Sequence, residues 1–222
     1  MTGASPAQRL HEVREKLERS ARLAGRPAGD VTLIAVSKTR DAGSIQPLIE
    51  AGQRDFGENR VQEAQDKWPA LRAETPGLRL HLIGRLQSNK AADAVALFDS
   101  IHSIDRPSLV AALAKAMAES ERRPECFLQV NIGDEPQKGG CVVADLPVLL
   151  ESAREAGLPI AGLMCIPPAE VEPAPYFALL AKLARRHGLP GLSMGMSADY
   201  ETAATIGATH VRIGTALFGE RR

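Results

Sequence analysis

Eight short strand-like runs recur along this chain, and stretches of helical pattern lie between them. The runs are VTLIAV (31–36), RDFG (54–57), LHLIG (80–84), FDSIHSI (98–104), CFLQVNI (126–132), IAGLMCI (160–166), LSMG (192–195) and HVRIG (210–214). Between them lie stretches such as VQEAQDKWPALRA and PSLVAALAKAMAESER. Continuous apolar strands alternating with helices predict a parallel sheet covered by helices. Eight units in 222 residues predict a closed (β/α)8 TIM barrel at the compact end of its size range. An open doubly wound sheet is the alternative. Against it, no glycine-rich fingerprint follows the first run, and no G-x-x-x-x-G-K-S/T occurs anywhere. The reading assigns residues 1–222 to one domain. Within it, residues 1–25 form an amphipathic helix laid on the barrel, with Leu10, Val13 and Leu17 on one face.

Charge and cysteine usage narrow the function classes. Lys and Arg together number 27, as do Asp and Glu, so the formal net charge is zero. Such a balance leaves no electrostatic footprint for nucleic acid or an anionic membrane. No window has the length and apolarity of a transmembrane helix. The N-terminal stretch carries Glu12, Glu15 and Glu18 and lacks the apolar core of a signal peptide, so a cytoplasmic location is expected. Cys126, Cys141 and Cys165 form no close pair, which fits a reducing compartment and gives no disulfide or zinc pattern. His11, His81, His102 and His187 show no metal-ligand spacing.

In a (β/α)8 barrel, function sits at the C-terminal ends of the strands. The first run ends in Ser37-Lys38, in a chain with seven lysines against twenty arginines. Strand alternation puts Lys38 on the face of Val36, Ile34 and Thr32, opposite Leu33 and Ala35. A helix-covered outer face suits Leu33 and Ala35, so Lys38 is expected to point into the barrel mouth. A desolvated lysine is a nucleophile toward carbonyls and forms Schiff bases. A solvated loop lysine is the plain alternative. Gly195 and Ser197 close the seventh run, and Gly214 and Thr215 close the eighth. Loops after the last two strands are the usual phosphate site of such barrels, where backbone amides at helix starts meet hydroxyls. Arg212 shares the face of His210 and Gly214 and is expected to point inward beside that anion. Lys90 and Lys138 are rival loop lysines beyond their strands. GLSMG (191–195) matches the nucleophile-elbow pattern, but the acid and histidine it needs downstream are packed into the next helix and strand.

Together these pieces resemble the pyridoxal phosphate homeostasis family. The matching motifs are AVSKTR (35–40), FGENRVQE (56–63), HLIGRLQSNK (81–90), IHSID (101–105), GLMCIPP (162–168) and LSMGMSADYETAATIGATHVRIGTALFG (192–219). They span nearly the whole chain in order. The family is similar to the barrel domain of alanine racemase, a fold type III barrel, without the second, β-rich domain. The resemblance implies pyridoxal 5′-phosphate (PLP) held as a Schiff base on Lys38. It further implies a phosphate held by Ser197, Gly214 and Thr215, a ring nitrogen faced by Arg212, and Asn59 and Met196 beside the cofactor. No metal and no catalytic residue is implied. An arginine at that nitrogen leaves the ring a weak electron sink, and family members are regarded as carriers or buffers of PLP. PLP-dependent apo-enzymes are then the expected recipients, and a monomer is the expected state. The chain departs from the family pattern at Arg60, where tyrosine is common, and at Gly139, where serine is frequent. A PLP-dependent amino-acid racemase and a cofactor-free Schiff-base aldolase on Lys38 are the competing readings.

Overall fold

The computed structural model describes residues 4–219. Eight strands close into a barrel in sequence order, each parallel to the next. They are β1 (Thr32–Val36), β2 (Asp55–Glu58), β3 (Arg79–Leu82), β4 (Ser100–Ile104), β5 (Glu125–Val130), β6 (Ile160–Cys165), β7 (Gly191–Ser193) and β8 (His210–Ile213). Every run read from the sequence overlaps its strand, with ends displaced by one or two residues, so the barrel expectation holds and the open sheet does not. The helices between strands are α2 (Ala42–Glu50), α3 (Val61–Glu74), α4 (Ala91–Leu97), α5 (Pro107–Ala118), α6 (Leu146–Glu155), α7 (Ala174–Arg186) and α8 (Tyr200–Ile206). The one-turn α9 (Thr215–Phe218) follows β8.

The N-terminal helix α1 (Pro6–Leu23) starts at a capping box. Ser5 Oγ accepts from Gln8 N at 3.2 Å, while Ser5 N donates to Gln8 Oε1 at 2.7 Å. Leu10, Val13 and Leu17 are buried, the face foreseen from their spacing. The helix packs on α8 and α9, and Arg9 Nε donates to Leu217 O at 2.5 Å. It therefore braces the two elements that follow β7 and β8.

Strand alternation sorts the buried side chains. Leu33 and Ala35 belong to the continuous apolar layer between strands and helices. Ile34, Phe127 and Met164 are equally buried but lie outside that layer, inside the barrel. The lower interior is aromatic and polar. His102 stacks on Phe127 with centroids 4.4 Å apart, and His210 meets both rings edge-on at 5.7 and 5.1 Å. His81 lies 5.3 Å from His102 and 6.1 Å from His210.

Burial makes charging these histidines unfavourable. Desolvation, with His81 and His210 nearby, holds His102 well below its ordinary value, and desolvation first and His81 second push His210 down to about 3. In the unfolded chain both take up a proton near the ordinary histidine value of about 6.5. Acid therefore favours the unfolded state. We expect the stability contributed by the neutral pair to be fully present above about pH 6.5 and to fall as pH drops toward 3. Urea-unfolding midpoints at about pH 7.5 and pH 5 test this. The midpoint is expected to fall at the lower pH, and His210→Gln is expected to reduce the difference. Equal midpoints in the wild type would contradict the assignment.

Candidate functional site

The C-terminal ends of β1, β2, β7 and β8 open into one cleft of about 380 Å3, within the ~300–1,000 Å3 range of small-molecule sites. Lys38, Asn59, Met196, Ser197, Arg212, Gly214 and Thr215 all line it. All seven residues singled out from the sequence thus converge on one cavity from loops up to 177 positions apart (215 − 38). Val36, Arg40, Ile83, Ile166 and Phe218 complete most of its wall. Of these, sequence reasoning had placed only Val36 on the Lys38 face. The Arg40 guanidinium sits 5.5 Å above the Phe218 ring and donates to Gly219 O at 3.0 Å, closing the side next to α9.

Lys38 sits in a tight turn that follows β1. Arg40 N donates to Ser37 O at 3.0 Å, and Thr39 has φ +62°. A β-branched residue is strained in that left-handed region, so the turn must be held by its surroundings. Glu58 and Lys67 supply much of that hold. Glu58 Oε1 accepts from Ser37 Oγ at 2.7 Å and Trp68 Nε1 at 3.0 Å, and it pairs with Lys67 Nζ at 2.7 Å. Lys67 Nζ in turn donates to Ser37 O and Arg40 O, both at 3.0 Å. Glu63 Oε1 accepts from Thr39 N at 2.5 Å and from Lys67 at 3.2 Å. The turn carrying Lys38 is thus held from both ends by a buried ion pair. The sequence assigned no role to either: Glu58 falls in the FGENRVQE motif and Lys67 in the helical stretch VQEAQDKWPALRA.

The rival lysines have other partners. Lys90 pairs with Asp93 at 3.2 Å on the outer rim. Lys138 donates to Pro167 O at 2.7 Å and pairs with Glu135. Neither lines the cleft that holds Lys38. Asn59 is fixed by a close backbone approach: a Cβ on Gly84 would lie 2.2 Å from Asn59 O, so only glycine fits there.

The opposite wall brings a serine hydroxyl onto backbone amides. Ser197 Oγ accepts from the backbone amides of Gly214 and Ala216, each at 3.3 Å. These amides belong to the start of α9, while Thr215 adds an exposed hydroxyl. One expectation needs adjusting. Ser197 does not open α8 directly, because Asp199 is the residue before that helix and its Oδ1 takes Met196 N at 2.6 Å. The amides therefore come from α9 alone, and Ser197 reaches across to them. Gly195, with φ +94°, makes this crossing possible; a Cβ there would lie 2.6 Å from Ala203 Cβ.

Arg212 is the buried cation of the site. It is 4% exposed and donates from Nη1 to Ser193 Oγ and from Nη2 to Cys165 O, each at 2.8 Å. Burial lowers its pKa, but a guanidinium keeps its charge in proteins. Ser193 itself is fully buried within the barrel, which removes the nucleophile-elbow reading of GLSMG. Its histidine partner is His102, from far upstream. Among the described residues no cluster of His, Cys, Asp and Glu is arranged to hold a metal, and no helix is long and apolar enough to cross a membrane.

Comparison with known proteins places this arrangement. Residues 9–222 match the model of the alanine racemase N-terminal domain. The pyridoxal phosphate homeostasis protein of Pseudomonas aeruginosa is 42% identical, over 97% of this chain and 95% of that protein. Its namesake in Escherichia coli K12 is 40% identical, over 97% and 96%. The structure of PipY from Synechococcus elongatus with PLP bound superposes with a TM-score of 0.79 at 41% identity, over 92% of this chain and the whole of that one. With a lysine, a buried arginine and an amide cradle around one barrel mouth, and with this likeness along almost the whole length, the chain belongs to the pyridoxal phosphate homeostasis proteins of the alanine racemase N-terminal domain family.

Proposed function

We propose that this chain binds PLP covalently through Lys38 and serves PLP homeostasis by storing, delivering or buffering the cofactor. The convergence of an amine, an anion cradle and a buried cation on one cleft carries this reading. The donor set fits the group. Lys38 offers the primary amine, Ser197 and Thr215 offer hydroxyls for a phosphate beside the amides of Gly214 and Ala216, which donate here to Ser197 Oγ, and Arg212 offers a permanent cation for the ring nitrogen. Asn59 and Met196 line the same cleft and would lie beside the ring. PLP supplies an aldehyde that condenses with amines and an electron-withdrawing ring. PipY, whose structure has been solved with PLP bound, supports the cofactor's identity.

A carrier is favoured over a racemase by the lining of the cleft. Among the described residues its titratable side chains are Lys38, Arg40 and Arg212, with no carboxylate or tyrosine. Tyr200 is buried in α8 and Tyr176 lies in α7. No second base therefore stands opposite Lys38 to exchange a proton at an amino acid's α-carbon. The recipients on this reading are PLP-dependent apo-enzymes, the protein works as a monomer of one domain, and its location is the cytoplasm.

Lys38→Ala is expected to abolish the visible band of the bound cofactor and leave the circular dichroism spectrum unchanged. Borohydride reduction of the wild type, followed by peptide mapping, is expected to place the adduct on Lys38. A full band in the variant, or an adduct on Lys90 or Lys138, would overturn the assignment. The cofactor-free aldolase is tested by the same spectrum, since it would be colourless.

The cradle makes a second expectation. Charge-assisted hydrogen bonds contribute about 1.5–3 kcal/mol each. Pyridoxal, which lacks the phosphate, is therefore expected to bind at least about tenfold more weakly than PLP. Similar dissociation constants by titration would mean that the cradle is wrongly placed. Deuterium exchange at the α-carbon of a broad panel of amino acids is expected to be absent, and its appearance would favour the racemase.

A further inference from the structure

Arg212 is a buried cation without a carboxylate beside it: among the described residues it forms no ion pair, and its two protein partners are a hydroxyl and a carbonyl. An isolated buried charge of this kind is costly unless polar groups answer it. The answer lies in a line of hydrogen bonds through the barrel. Ser193 Oγ is 2.8 Å from His102 Nδ1, His102 Nε2 is 3.1 Å from His81 Nδ1, and His81 Nε2 is 2.9 Å from Asp55 Oδ1. Five strands contribute one residue each: β8, β7, β4, β3 and β2. Arg212 stands at the cleft. Asp55 is the first residue of β2, at the opposite mouth, where its side chain is 21% exposed and Arg79 Nε lies 3.6 Å away.

With both rings neutral, the chemistry of the two ends fixes the direction of every bond. Asp55 as a carboxylate only accepts, so His81 donates from Nε2. A neutral His81 then accepts at Nδ1, and His102 donates from Nε2. A neutral His102 accepts at Nδ1, so Ser193 donates its hydroxyl proton there. The Ser193 oxygen is left to accept from Arg212, which only donates. One arrangement satisfies all five residues, and every lone pair in it faces toward the guanidinium. The other charged and titratable groups around the line are Arg79, which faces Asp55, His210, which packs against both histidine rings, and Asp199 and Cys165, which lie near enough to act on Arg212. Arg79 also reaches Glu125 at 3.8 Å, and His210 Nδ1 lies 2.8 Å from Thr209 Oγ1. Burial raises the Asp55 carboxyl, but its hydrogen bond to His81 and the nearby His81, Arg79 and His210 side chains outweigh it, and the net shift is downward. The carboxylate form at this end is thus maintained at neutral pH.

We infer that Asp55, His81, His102 and Ser193 are positioning residues that anchor Arg212 from the far mouth of the barrel and, through it, set the electrostatics at the cofactor's ring. The consequence for the ring rests on the reading of the cleft as a PLP site. The relay itself does not.

Two measurements separate these parts. In the cofactor-free protein, nitrogen-15 spectra of the histidine rings near about pH 7 report tautomers directly. His81 and His102 are both expected to carry a single ring proton on Nε2, as the hydrogen-bond line requires. A proton on Nδ1 of either ring would overturn the relay. In the PLP-loaded protein, Asp55→Asn keeps the shape and removes the charge, and Ser193→Ala cuts the line next to Arg212. Each is expected to move the pH midpoint of the visible band. Each is also expected to change the PLP release rate by about tenfold, the low end seen for outer partners of a bound metal. Glu125→Gln, on the same mouth but outside the line, is expected to change neither. If Asp55→Asn does not fold, Ser193→Ala decides. An unchanged pH profile and release rate in the folded variants would overturn the positioning role. If the wild type takes up no PLP at all, the reading of the cleft falls, and the tautomers still judge the relay.

Discussion

Closure of eight short parallel strands is the constraint on which everything else depends. A closed ring has no edge, so every strand pairs on both sides. All C-terminal ends then lie on one rim, which brings Lys38 from the first strand next to Arg212 and Thr215 from the last. A polar side chain that points inward in such a narrow interior has no access to bulk water. Left without a partner it is costly to bury, which favours pairing across the barrel such as that of His81, His102 and Ser193.

Two buried charge systems flank the cleft, one between β2 and α3 outside the barrel wall and one inside the barrel. Glu58 and Lys67 hold the turn that carries Lys38, against the strain recorded in the positive φ of Thr39. A line from Asp55 holds Arg212. The third fixed point is backbone, where Ser197 meets the amides of Gly214 and Ala216. An amine, a cation and an anion cradle are therefore fixed by three separate devices. Losing a partner inside either charge system would leave a buried charge unanswered, at about 3–5 kcal/mol for such pairs in general. Position and stability are coupled at this site.

The barrel was legible because its signal is local: short strand-like runs such as the continuous apolar VTLIAV, with helix patterns between them, recur eight times. Strand limits shifted by a few residues, as where β7 stops at Ser193 although the run LSMG continues to Gly195. The cleft was legible because strand ends, glycines and an inward lysine can be read from parity. The supports were not. His81 and His102 carry no metal spacing and look like lone structural histidines, and their partners lie 21, 26 and 91 residues away in sequence. Glu58 and Lys67 are nine residues apart, on a strand end and a helix, and nothing periodic links them. Ser193 sits in a nucleophile-like motif that burial cancels. Long-range polar pairing leaves no trace in the pattern of a single sequence, because the periodicity that reveals an element records only which of its faces are apolar.

On the proposed reading, the chemistry of the cleft favours holding over turnover. A reactive PLP site benefits from a group that protonates the ring nitrogen and from a base placed across from the lysine. Here the inward group is a guanidinium with no proton to give, and the lining supplies no carboxylate. The interior spends a carboxylate, two histidines and a serine on keeping that guanidinium charged and in place. Placing Asp55 itself beside the ring would have been the shorter route to an electron sink. The fold instead puts the carboxylate at the far mouth and presents only a cation to the cleft. That separation keeps negative charge away from the ring nitrogen, so the cofactor's electron-withdrawing power is restrained while its grip on the protein is not.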